Sequence, residues 1–270
     1  MNVLLQEYAV FARTKLVPAA RDNLKRLFMA YGNGEDLGTE IKGDGTPASR
    51  ADRETEKMLR EIIAAAYPAH GIAGEEFGVE NPAAEFVWVL DPLDGTKEFL
   101  AKEVGWGSLI ALMQNGKPVL GTIIDPLQNK TWDQDGQPVA KPAACTLERA
   151  VIATTTTKGM FDGTVYERGA HTLFSRCASV REKLNCLGYA YALGGGVDIA
   201  AENDIKLHDI AALLPALWAG GATCRNFDGA DYKNVTFDLE QAVSARYNIV
   251  TGLDEKLVED IINVLNGRAA

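Results

Sequence analysis

Two apolar runs, Gly107-Ser-Leu-Ile-Ala-Leu-Met113 and Val119-Leu-Gly-Thr-Ile-Ile124, stand on either side of Asn115-Gly116. A two-residue hairpin turn needs positive φ at both central positions, which asparagine and glycine tolerate best, so this pair predicts an antiparallel hairpin. Phe86-Val-Trp-Val-Leu90, a shorter apolar run just upstream, predicts a further strand. Whatever else the chain forms has to be built against that sheet.

Helical spacing frames it. Val3, Leu4, Tyr8, Phe11, Ala12 and Leu16 recur at the helical period, as do Met58, Leu59, Ile62, Ile63 and Ala66, with Ser49 as the N-cap residue of the second helix. Between them the glycine-rich, polar stretches Gly32–Gly38 and Lys42–Pro47 read as an exposed loop. Beyond a Pro- and Gln-containing stretch, Asp133 to Ala144, strands are expected at Val151–Thr154 and Tyr247–Thr251. A closing helix is expected from about Asp254 to Asn266, with Leu257, Ile261, Ile262 and Leu265 inward. The mixture predicts layered α and β structure, α+β or α/β, in two halves, residues 1–145 and 146–270.

The 270 residues carry 27 Lys+Arg against 37 Asp+Glu, a net charge of −10, which excludes a broad basic face for nucleic-acid polymers or anionic membranes. Cys145, Cys177, Cys186 and Cys224 form no C-x-x-C pair and read as free thiols of a reducing compartment. Three histidines, His70, His171 and His208, are too few and too scattered for a His-rich metal site. No secretory leader or stretch of about 18 apolar residues is visible, so a soluble cytoplasmic protein is expected.

Acid is concentrated at Gly74-Glu75-Glu76, at Asp91-Pro92-Leu93-Asp94-Gly95-Thr96 and at Asp209. Asp91 directly follows an apolar strand, and Asp94 lies three residues on across a turn, so two carboxylates and a freed main-chain carbonyl can converge. Converging carboxylates repel, and a hard divalent cation on oxygen ligands, Mg²⁺, Mn²⁺ or Ca²⁺, removes that penalty. Gly95-Thr96-Lys97-Glu98-Phe99 follows as a helix start, whose free N–H groups suit an anion. Each piece also has an ordinary reading: Asp94 and Thr96 as turn and cap, Glu75-Glu76 as solvated acids, Asp209 as the cap of a core helix through Ile210, Leu213, Leu214 and Leu217.

Taken together and in this order, Gly74-Glu75-Glu76, Trp88-Val-Leu-Asp91-Pro-Leu-Asp94-Gly-Thr96, and His208-Asp209-Ile-Ala-Ala212 with Ala219-Gly-Gly221 resemble the inositol monophosphatase superfamily of Mg²⁺-dependent, lithium-sensitive phosphatases. The resemblance implies a layered αβαβα sandwich and a homodimer. It implies two or three Mg²⁺ ions, with Mn²⁺ as a substitute, held by Glu75, Asp91, Asp94, Asp209 and the Leu93 carbonyl. Gly95 and Thr96, with Leu93 and Asp94, would contact the phosphate, and Lys42, Asp44 and Asp52 would complete the site. Catalysis would fall to Glu75, Thr96 and Asp52, which orient a metal-activated water for in-line attack. His208 stands where the family has an aromatic residue, so it is expected to pack the site floor, and Pro215 is expected to kink the helix after Asp209.

The implied substrate is a small phosphate ester. Asp94-Gly-Thr-Lys-Glu-Phe99 is similar to the branch that hydrolyses 3′-phosphoadenosine 5′-phosphate, with Lys97 and Lys206 available to a second phosphate. Leu187–Leu193 and Lys206–Pro215 look more like the histidinol-phosphate and inositol-phosphate phosphatases, and this half shapes the leaving-group pocket. Glu202, seven residues before Asp209, falls where the family places an acid that touches substrate hydroxyl or amino groups; otherwise it is an exposed loop glutamate. A regulatory protein that binds metal and phosphate without turnover is the remaining alternative.

Overall fold

The computed structural model describes residues 3–43, 45–140, 143–241 and 244–268. Asp44, one of the residues expected to complete the site, lies outside them. A first helical segment runs from α1 (Val3–Phe11) through a wider π-helical turn, Ala12–Leu16, into α2 (Val17–Gly32). It extends sixteen residues beyond the expected helix because Ala20, Leu24 and Leu27 continue the buried stripe. The glycine-rich loop contains a small hairpin, β1 (Glu40–Ile41) with β2 (Pro47–Ala48), and leads into α3 (Arg50–Ala66). Ser49 caps α3 in a capping box with Asp52.

Six strands follow: β3 (Gly71–Gly74), β4 (Gly78–Glu80), β5 (Phe86–Asp94), β6 (Gly107–Gln114), β7 (Lys117–Asp125) and β8 (Lys130–Asp133), with the short helix α4 (Thr96–Leu100) after β5. They form one sheet in the order β4-β3-β5-β6-β7-β8, with β3 parallel to β5 and the rest antiparallel. β6 and β7 are the expected hairpin, and Asn115 and Gly116 take φ of 49° and 76°. The two-residue turn therefore has the positive φ values that chose those residues.

The second half contributes β9 (Val151–Ala153), α5 (Glu167–Arg176), β10 (Ser179–Arg181), α6 (Cys186–Gly194), β11 (Ile199–Ile205), α7 (Leu207–Ile210), α8 (Leu213–Ala219), β12 (Thr223–Arg225), β13 (Tyr247–Gly252) and α9 (Glu255–Leu265). Its strands form a five-stranded sheet, β10-β9-β11-β13-β12. The expected kink at Pro215 is instead a break at Ala211-Ala212. Pro215 lies in the first turn of α8, where its missing N–H leaves no helical bond unmade.

Strand alternation sets the layers. Trp88, Leu90, Ile110 and Leu112 face α1–α3, whereas Val87, Val89, Leu109 and Ala111 face α6–α8. In the second sheet Ala153, Ala200 and Ile249 face the same central helices, and Ile152, Ile199, Ala201 and Val250 face α5 and α9. The result is the αβαβα sandwich, with α6–α8 packed between two sheets. Among the described residues no helix is long and apolar enough to cross a membrane.

Candidate active site

Residues 91 and 94 are separated by an odd number, so in a regular strand their side chains would point to opposite faces. β5 does not turn after Leu90 as expected but runs on to Asp94, and its register against β6 slips between Asp91↔Leu109 and Asp94↔Gly107. One extra residue on β5 is a bulge, a position that tolerates Pro92, and it turns both carboxylates toward the same point. The opposing residue must be glycine, because a Cβ on Gly107 would sit 2.6 Å from Cys186 Sγ.

Parallel β3 delivers the next acid. Gly74 is level with Leu90, and the Glu75 N–H donates to the Leu90 carbonyl at 3.2 Å, so Glu75 emerges beside Asp91. Buried Glu56 accepts from the N–H groups of Glu76 (2.8 Å) and Phe77 (3.2 Å) and from Arg60 Nε (2.8 Å), fixing this turn from beneath. A Cβ on Gly74 would meet Glu56 Oε1 at 2.0 Å, so the Gly-Glu-Glu order reflects close approach as well as chemistry. Asp209 is not the N-cap of its ordinary reading: it is the third residue of α7, where its Oδ2 accepts the N–H of the capping residue Lys206 at 2.6 Å, and Leu213, Leu214 and Leu217 lie in the separate helix α8; from α7 it reaches the cluster.

One carboxylate oxygen from each of Asp91, Asp94 and Asp209 lies within 4.8 Å of the others, and a second such group joins Glu75, Asp91 and a ring nitrogen of His208. His208 Nε2 is 3.6 Å from Asp209 Oδ1, so its ring stands at the edge of the acids. Burial and then the neighbouring carboxylates push Asp91 far up and Asp94 up to about 7. Glu75 goes the other way: burial opposes its charge, but His208 and Lys42 hold it below the usual carboxylate range. Lys42 Nζ donates to Glu75 Oε1 at 2.8 Å and also to Glu76. Four convergent carboxylates are an oxygen donor set suited to hard divalent cations, which relieve their mutual repulsion.

Beyond Asp94, Gly95 at φ 97° opens α4. Thr96 Oγ1 donates to Asp52 Oδ1 at 2.7 Å and lies 3.2 Å from the Leu93 carbonyl, while the Leu93 N–H donates to Asp91 Oδ1 at 3.2 Å. Asp52 is buried and also accepts from Ser49, so one carboxylate both caps α3 and orients Thr96. Burial raises its pKa. α4 has only five residues, so its dipole alone attracts an anion weakly.

The acids open into two connected cavities. The larger, about 580 Å³, is lined on its far side by Lys97, Thr155–Thr157, Lys158 and Lys183. The other, about 340 Å³, runs past Tyr189, Glu202, Asp204 and His208. Glu202 is not the exposed loop glutamate of its ordinary reading: it is buried on β11, accepts from Thr155 Oγ1 at 2.8 Å, and is pushed up to about 8 by burial and Asp94. Thr155 and Asn185, which line both cavities, were missed from sequence. A threonine run and an asparagine before an apolar helix carry no signal of that role.

A family model described as Inositol monophosphatase family matches residues 7–265. A chloroplastic bifunctional phosphatase IMPL2 of Arabidopsis thaliana is 31% identical over 83% of the chain, which spans 66% of that protein's length. A histidinol-phosphatase of Mycobacterium tuberculosis is 32% identical over 72% of the chain and 79% of its own. A Nus factor SuhB of Xylella fastidiosa is 31% identical over 80% and 82%. Among solved structures, an inositol monophosphatase from Zymomonas mobilis superposes with a TM-score of 0.78 at 25% identity, covering 98% of this chain and 99% of that one.

Proposed function

The chain belongs to the inositol monophosphatase family, and from that membership we propose that it is a Mg²⁺-dependent phosphomonoesterase whose substrate is a small phosphate ester, histidinol phosphate ahead of inositol 1-phosphate. The observation that carries the reading is the convergence of Asp91, Asp94 and Asp209 with Glu75 beside the Gly95-Thr96 turn. Glu75, Asp91, Asp94, Asp209 and the Leu93 carbonyl would hold the metal. Bound Mg²⁺ would supply the positive charge that lets a phosphate dianion approach four acids and that stabilises charge on the phosphoryl group in the transition state.

The protein's own groups do the rest. Gly95 and Thr96 present main-chain N–H groups to phosphate oxygens, since the left-handed Gly95 turn leaves them unspent on helix bonds. The Thr96 hydroxyl proton is committed to Asp52 at 2.7 Å, so its oxygen is free to accept from an attacking water. Glu75, held ionised beside Lys42, takes that water's other proton as the water's oxygen bonds to phosphorus and the P–O bond to the alkoxide breaks, the alkoxide taking a proton from solvent water. On the leaving-group side, buried Glu202 offers an acid to an amine, which supports the histidinol ester, as do the relatives named histidinol-phosphatase. Lithium inhibition and homodimer assembly belong to the same reading.

The test is phosphate release from histidinol phosphate, inositol 1-phosphate and 3′-phosphoadenosine 5′-phosphate, with Mg²⁺ and with EDTA. Histidinol phosphate should turn over fastest, and only with metal. Faster cleavage of the nucleotide would favour the alternative supported by Lys97, Lys158 and Lys183 in the larger cavity. No release from any ester would favour a non-catalytic factor, the reading consistent with the similarity to a Nus factor.

A further inference from the structure

Asn185 holds a backbone conformation, φ 47° and ψ −136°, that a non-glycine residue occupies at a cost of about 1–3 kcal/mol. Such strain persists only where the surroundings fix it, and here they do. The side chain is buried, and Nδ2 donates to Glu98 Oε2 and to the Gly105 carbonyl, both at 2.9 Å. Both amide hydrogens are thereby spent on the segment that carries α4. The same Nδ2 lies 2.5 Å from where a Cβ on Gly95 would be, so it packs against the turn before Thr96 in the space that glycine leaves. The next residue completes the arrangement: the Cys186 N–H, turned inward by the Asn185 backbone, donates to Asp94 Oδ2.

We propose that Asn185 is a positioning residue that fixes the Asp94 carboxylate and the Gly95-Thr96 turn relative to each other. It comes from the second half of the chain, whereas every group it fixes belongs to the first, so it also ties the two halves together across the cleft. The inference rests on the phosphatase reading above. A planar amide with two fixed donors sets distance and direction together. A misplacement of about 1 Å at a reacting centre lowers rate by about a hundredfold, so a contact of this kind bears on kcat more than on binding.

The experiment compares Asn185→Gly, Asn185→Asp and Glu98→Gln, following kcat, KM and the Mg²⁺ concentration for half-maximal activity, with Mg²⁺ affinity read separately by calorimetry. Asn185→Gly suits the backbone and removes the whole side chain, both donors and the Oδ1 that accepts from Thr155 Oγ1 at 3.4 Å. Asn185→Asp keeps the shape, cannot donate, and sets a carboxylate against Glu98. Both should lower kcat by about tenfold or more and weaken Mg²⁺ binding by at least about threefold, with KM for the ester within about threefold. Glu98→Gln keeps an acceptor and should stay near wild type. Added to Asn185→Asp, it removes the repulsion and offers a donor in return, and should recover at least about threefold in kcat. The proposal is overturned if folded Asn185→Gly and Asn185→Asp proteins keep wild-type kcat and Mg²⁺ affinity, or if Glu98→Gln brings no recovery. A wild-type protein that releases no phosphate would instead overturn the phosphatase reading, and calorimetry would still judge Asn185.

Discussion

Asp94→Asn separates the metal-site reading from an ordinary turn. Asparagine keeps an oxygen that can accept the Cys186 N–H, so the local geometry survives while one negative charge is lost. In the folded, metal-free protein the Asp94 carboxyl keeps its proton up to about pH 7, because it is buried beside Asp209; unfolded, it releases the proton near about pH 4. The folded state therefore binds more protons across that window, and metal-free stability falls as pH rises through it. Above it the deficit reaches about 4 kcal/mol if Asp94 bears it alone, and less where Asp91, also pushed up, takes the proton in its place. Removing the charge should return about 1–3 kcal/mol, or about 2–6 °C in melting temperature for a chain of this size. Magnesium should reverse the ranking: at a hundred times its dissociation constant it would stabilise the wild type by about 2.7 kcal/mol. The assay is thermal melting at pH 5.0 and 7.5, in EDTA and in MgCl₂. Asp94→Asn should melt higher than wild type in EDTA at pH 7.5, match it more closely at pH 5.0, gain little from Mg²⁺ and release no phosphate. Equal Mg²⁺ shifts in the two proteins, or full activity in the variant, would refute the reasoning.

Gly95→Ala should lower kcat/KM by about a hundredfold, because φ is 97° and the new Cβ would meet Asn185 Nδ2 at 2.5 Å and Trp106 Cβ at 2.9 Å; steady-state phosphate release checks it. Glu56→Ala leaves Arg60 and two N–H groups without their buried acceptor and should cost about 3–5 kcal/mol, seen as a drop of about 6–10 °C in melting temperature. Above about pH 8, where Glu202 carries its charge, Glu202→Gln should raise KM for histidinol phosphate about tenfold while changing that for inositol 1-phosphate far less, the difference being one charge-assisted contact to the amine; an equal rise for both esters would remove Glu202 from amine recognition.

What the sequence made legible was local chemistry. Asn115-Gly116 named its turn because only a few residues accept those dihedrals, and Ser49 and Asp254 named their helix starts because a cap bond spans two or three residues. Glu75, Asp91, Asp94 and Asp209 could be picked out because acids at strand and helix ends are conspicuous. How they meet was not legible. The bulge at Pro92-Leu93 depends on the register of β5 against β6, a property of two strands at once, and a strand read alone to Leu90 cannot contain it. Asn185 is hidden for the same reason: its partners Glu98 and Gly105 are at least 80 residues away, and asparagine there is unremarkable until the fold brings them together. The two cases share a physical cause. Residues that supply charge are chosen by chemistry and show in composition, whereas residues that place the charge are chosen by the geometry of another segment. For this site the consequence is specific: Asp94 owes its place among the acids to a register slip on one side and to the Cys186 N–H on the other, so either can be disturbed without touching an acid.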